Sequence, residues 1–136
     1  MNDQLPTRLE RASARFAVVV GIVHGLGETV CEWFYDQSLA MLLVDYIAVA
    51  LLLYTGLSFL LRASTAAAGL LAGAWGFTAC LLYRVFFERF DEFLAKGSTS
   101  LAEPDWFLAL LGLEFTVIAL SFAGSMYLVF QRGKAA

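Results

Sequence analysis

Four apolar stretches separated by polar breaks set the layout of the chain. They run over 16–35, 39–61, 66–87 and 106–130, and each supplies the roughly 20 mostly apolar residues that a helix needs to cross a hydrocarbon core about 30 Å thick. The pattern predicts an all-α integral membrane protein with four transmembrane helices. The first two breaks are only a few residues long, which makes consecutive helices antiparallel neighbours and predicts an up-down-up-down bundle.

The third connection is longer and has a pattern of its own. In YRVFFERFDEFLAKGSTSLAEPDW, apolar residues at 83, 86, 87, 90, 93 and 94 recur with helical spacing, while Arg84, Glu88, Asp91, Glu92 and Lys96 fall between them. The third helix is therefore expected to continue beyond the bilayer as an amphipathic extension. Gly97 and Ser98 stop it, and Glu103-Pro104-Asp105 opens the last span, where proline and acidic residues suit a helix start. The expected division is an N-terminal segment 1–15, a four-helix domain 16–131 and a tail 132–136.

Charge orients this layout. With the N-terminus in the cytoplasm, Arg8, Arg11, Arg15, Arg62, Arg132 and Lys134 all fall on the cytoplasmic side, as the positive-inside bias requires. Both termini are then cytoplasmic, and the opposite side receives a mainly acidic set. Trp33, Phe34 and Tyr35 close the first span and Trp106 and Phe107 open the fourth, where amphipathic rings favour the headgroup level. The arginine-bearing N-terminus lacks a small-residue cleavage site, so the first span reads as retained and not as a signal peptide.

Composition agrees: 60% of the 136 residues are hydrophobic and 15% charged, against about 45–50% and about 25% in soluble domains. The net charge of -3 comes with no basic stripe, which argues against a nucleic-acid partner. The lipid bilayer is the first partner implied. No G-x-S-x-G, H-E-x-x-H, P-loop or dinucleotide fingerprint occurs, and the balance falls against an enzyme.

Against that background, GIVHGLGETVCEWFYD stands out. It carries the single histidine of the chain, His24, with Glu28 and Glu32 following at four-residue spacing, which places all three on one helix face. An ionised group at mid-bilayer costs at least about 2.5–3.5 kcal/mol and normally faces the bundle interior with a partner. Counting depth at about 1.5 Å per residue puts Asp45 level with Glu28 and Glu114 nearer His24. Arg84 enters at the outer boundary as a counter-charge for Glu32 or Glu28.

Three readings of this cluster stand: a structural hydrogen bond between helices, a proton relay or cation pathway, and a divalent metal site, since imidazole and carboxylate suit several transition ions. No tight ligand motif names a metal, and no cofactor is named either. One histidine excludes a bis-histidine haem.

Other residues speak of packing. Ala68, Gly69, Ala72, Gly73 and Gly76 in the third helix, and Gly21 and Gly25 in the first, permit close helix approach. Phe86, Phe87, Phe90 and Phe93 on the extension form a candidate interaction surface. Cys31 and Cys80 are expected to be buried thiols, with a bridge between helices one and three as the alternative. Tyr46 and Tyr54 are expected to pack with satisfied hydroxyls.

The arginine leading into a glycine-punctuated first helix, RFAVVVGIVHGLGETV, followed by three more spans, resembles the DoxX-like group of small bacterial membrane proteins. The resemblance covers the topology of nearly the whole chain and implies an inner-membrane protein associated with redox or quinone-linked complexes. The chain departs from that group in its short first outer loop, DQS, and its long third one. The leading functional expectation is a non-enzymatic accessory or scaffold subunit that meets a membrane partner or a second copy of itself. A small proton- or cation-translocating transporter is the alternative, and a redox- or quinone-linked accessory protein the second alternative.

Overall fold

The computed structural model describes residues 6–35, 39–96 and 105–135, without the side chains of 31, 32, 34, 35, 96, 105 and 135. It is all-helical, with α1 over Arg8–Tyr35, α2 over Leu39–Leu61, α3 over Thr65–Lys96 and α4 over Asp105–Ala135. All four are long and apolar enough to cross a membrane. The expected ends of the third helix extension at Gly97 and Ser98, the Glu103-Pro104 start and the DQS loop lie outside the described residues.

Three helices exceed the spans that hydropathy marks, α4 by running on to Ala135 through most of the expected tail. α1 begins at Arg8, so half of the expected N-terminal segment is its first two turns. The start is fixed by a capping box in T-R-L-E: the Glu10 amide donates to Thr7 Oγ1 at 3.2 Å, while the Thr7 amide donates to Glu10 Oε2 at 2.7 Å. Two amides that a helix start leaves without intrahelical partners are thereby satisfied. α3 runs for 32 residues, about 48 Å at the usual rise, longer than the hydrocarbon core. Ser64 caps it by accepting from the Ala67 amide at 3.1 Å.

Packing is extensive between α1 and α2, α2 and α3, and α3 and α4, whereas α1 meets α3 and α4 at few positions. Small residues make the close seams. A Cβ added at Gly56 of α2 would lie 2.8 Å from the Ala14 carbonyl oxygen and 2.9 Å from Val18, so no larger residue fits unless the backbone of α1 moves. Further along, Gly21 meets Leu53 and Gly25 meets Val49. On the other side Gly76 meets Phe122, and Gly112 meets Phe86.

The core is centred on Leu52, Phe59, Trp75 and Ile118, all essentially inaccessible, and Phe16 of α1 stacks on Trp75 at 5.9 Å. Buried hydroxyls are satisfied inside their own helices: Thr55 donates to the Leu51 carbonyl and Thr78 to that of Ala74, which removes the cost of an orphaned donor. Large apolar side chains such as Val23, Leu26, Leu43, Leu113 and Leu120 lie exposed on the outside. A belt of this kind is suited to lipid, since soluble monomers rarely expose large contiguous apolar patches.

The small-residue stripe of α3 divides between two faces. Ala68 and Ala72 are buried and Gly76 packs on α4, while Gly69 and Gly73 have nothing near them. Cys80 is a free thiol and exposed, contrary to the expectation of burial; it lies on the outward side of α3. The pairing alternative falls on the Cys31 side chain, outside the described residues. Tyr46 shares a 2.7 Å hydrogen bond with Thr29 of α1, but Tyr54 is 66% exposed and does not pack as expected.

Candidate functional site

His24 reaches the centre of a polar cluster built by three helices. On α1, His24 and Glu28 stand one turn apart, and the imidazole Nε2 lies 4.0 Å from Glu28 Oε1. Across the bundle, Nδ1 is 2.8 Å from Oε1 of Glu114 on α4. Asp45 of α2 completes the group: one donor atom from each of His24, Glu28 and Asp45 lies within 4.8 Å of the other two.

The α1–α2 approach is what delivers Asp45. Val49, one turn along α2 from Asp45, sits against Gly25, where a Cβ would come 3.2 Å from Val49 Cγ1. A larger residue at 25 would hold the helices apart at the depth of the cluster. His24 is 4% exposed and Asp45 9%, while Glu28 is largely covered and Glu114 is the most open of the four. Asp45 and Glu28 thus face His24 from two different helices, α2 and α1.

Tautomer follows from these contacts. With the Glu114 carboxylate as acceptor, Nδ1 carries the hydrogen, and the neutral ring then presents a bare lone pair at Nε2. That atom is buried and has no hydrogen-bond partner among the described residues. It faces Glu28, whose near oxygen lies beyond hydrogen-bond reach. Nε2 and a Glu28 carboxyl oxygen face each other 4.0 Å apart inside the bundle, an arrangement that a proton or a cation satisfies.

Of the residues that the sequence marks, His24, Glu28, Asp45 and Glu114 come together. Arg84 is not among the residues that gather around His24; it is exposed on α3. The Glu32 side chain lies outside the described residues. The four phenylalanines are not one outward surface. Phe86 stacks on Phe115 of α4 at 5.9 Å and on Phe90 at 5.7 Å, Phe87 meets Phe115 edge-on, and Phe90 and Phe93 are partly covered.

A second polar contact has no counterpart in the sequence reading. Glu10, 4% exposed, accepts from Arg132 Nε and, at 3.1 Å, from Arg132 Nη2, and the guanidinium lies 5.6 Å from the centre of the Phe59 ring. The T-x-x-E box at residues 7–10 is the signal that could have singled out Glu10; nothing local points to a partner 122 residues away. Compared with family models, curated proteins and solved structures, the chain matches none.

Proposed function

We propose that this is a small polytopic membrane protein that takes up and passes a proton or a cation at the His24/Glu28/Asp45/Glu114 cluster. The observation that carries the reading is the buried Nε2 of His24, without a hydrogen-bond partner among the described residues and turned towards carboxylates. A purely structural histidine is expected to have both ring nitrogens satisfied. Intramembrane ionisable residues that face one another mark ion and proton pathways.

The finer topology belongs to the same proposal. An up-down-up-down bundle is supported by the contact register, in which residues 14, 21 and 25 of α1 meet 56, 53 and 49 of α2, and residues 76 and 86 of α3 meet 122 and 112 of α4. The contact of Glu10 with Arg132 supports termini on one side, and the arginine bias supports the cytoplasm of a cell with an inner membrane. The test is proton and cation flux in liposomes. Flux is expected with the wild-type chain and lost in Glu28→Gln and Glu114→Gln with helix content kept. Absent flux, or flux equal in all three, overturns the reading.

The accessory or scaffold role is the second reading. It is favoured by Gly69 and Gly73, whose four-residue spacing faces outward with nothing near either glycine, since such small-residue faces allow transmembrane helices to associate closely.

A further inference from the structure

We infer that His24, Glu28 and Asp45 form a binding site for a divalent first-row transition-metal ion between α1 and α2, with Glu114 of α4 orienting the imidazole. The inference rests on the cation-handling reading above and names its substrate class. Nε2 of His24 is buried and has no hydrogen-bond partner among the described residues, it carries the lone pair when Nδ1–H is on Glu114, and Glu28 and Asp45 bring carboxylate oxygens to its side. Metal-bound histidines usually hold their other ring nitrogen on a carboxylate or carbonyl, which fixes the tautomer and raises ligand basicity. The 2.8 Å contact between Nδ1 and Glu114 supplies that arrangement.

Distances and charge agree. Ligands about 2.0–2.2 Å from a tetrahedral ion stand roughly 3.4 Å apart; the three donors lie within 4.8 Å of one another, so rotations of the two carboxylates close the set. Two carboxylates and a divalent ion sum to zero charge, which lowers the cost of keeping the acidic pair in a low-dielectric bundle. One imidazole nitrogen and two carboxylate oxygens suit zinc, manganese, iron(II) or cobalt(II), and the absence of sulfur from the set disfavours copper(I). Three protein ligands leave a position for water or for handing the ion on.

The test uses the full chain in mild detergent, carrying no added histidines, titrated with Co2+ and read by visible d–d absorption and by metal per chain after gel filtration. One Co2+ per chain, displaced by Zn2+, is expected. Asp45→Asn and Glu28→Gln should lose it with circular dichroism and elution volume unchanged, and Glu114→Gln should bind roughly 10–100-fold more weakly. No uptake by the wild-type chain, or uptake surviving both carboxylate substitutions, overturns the inference. A second readout needs no variant: the chain has one histidine, so spin-echo spectra of the Cu2+-loaded protein should show a single bound imidazole, and its absence also overturns the site. Flux without Co2+ binding would leave a proton pathway and remove the metal. Co2+ binding without flux would keep the metal site and remove transport.

Discussion

Glu10 and His24 lie on the same helix, and each reaches across to α4, but the two contacts are built to different ends. Glu10 is fully engaged: the Thr7 amide and hydroxyl donate to it together with two nitrogens of Arg132, and Phe59 of α2 covers the guanidinium. His24 is half engaged, with Nδ1 on Glu114 and Nε2 left towards Glu28 and Asp45. α1 and α4 otherwise touch little. A closed charge pair ties the first helix to the last, while the other contact leaves one ring nitrogen without a hydrogen bond among the described residues; the two groups are equally buried, so burial alone does not distinguish them.

The largest effect is expected where the closed pair is cut. Arg132→Ala strands the buried Glu10 carboxylate, and removing one partner of a buried pair costs about 3–5 kcal/mol, measurable as loss of unfolding free energy in mixed detergent. A loss under about 1 kcal/mol would place the pair with ordinary surface bridges and erase the contrast with His24. Thr7→Ala should cost less, about 1 kcal/mol, as cap removals do. It deletes the hydroxyl that both receives the Glu10 amide and donates to its carboxylate.

The smallest effect on stability is expected at the open pair. Replacing His24 and Glu114 together by leucine should leave the unfolding free energy nearly unchanged, because the Glu114 side chain is about a third exposed and such a pair contributes little. Flux and Co2+ uptake should vanish in the same protein. A destabilisation equal to that of Arg132→Ala would make His24 a structural residue like Glu10.

The depth of the polar residues was readable by counting along helices, which put Glu114 near the level of His24 and Asp45 at that of Glu28 but left open whether they face one another. Arg84 shows the limit of that method: a residue of suitable depth and charge lies exposed on α3, apart from the His24 cluster. Phe86 shows the same, since a pattern that looks outward in sequence packs on Gly112 and Phe115 once α4 lies beside it.

The sequence by itself determined the four helices, because about 20 apolar residues in a row satisfy both a hydrocarbon core and a helical backbone, and the depth of each polar group, because helical rise is fixed. The tertiary structure decided rotation about each helix axis. That rotation depends on where backbones can approach, at Gly25 against Val49 and Gly56 against Ala14, and it determines which groups at one depth come within reach of one another and which, like Arg84, lie exposed instead.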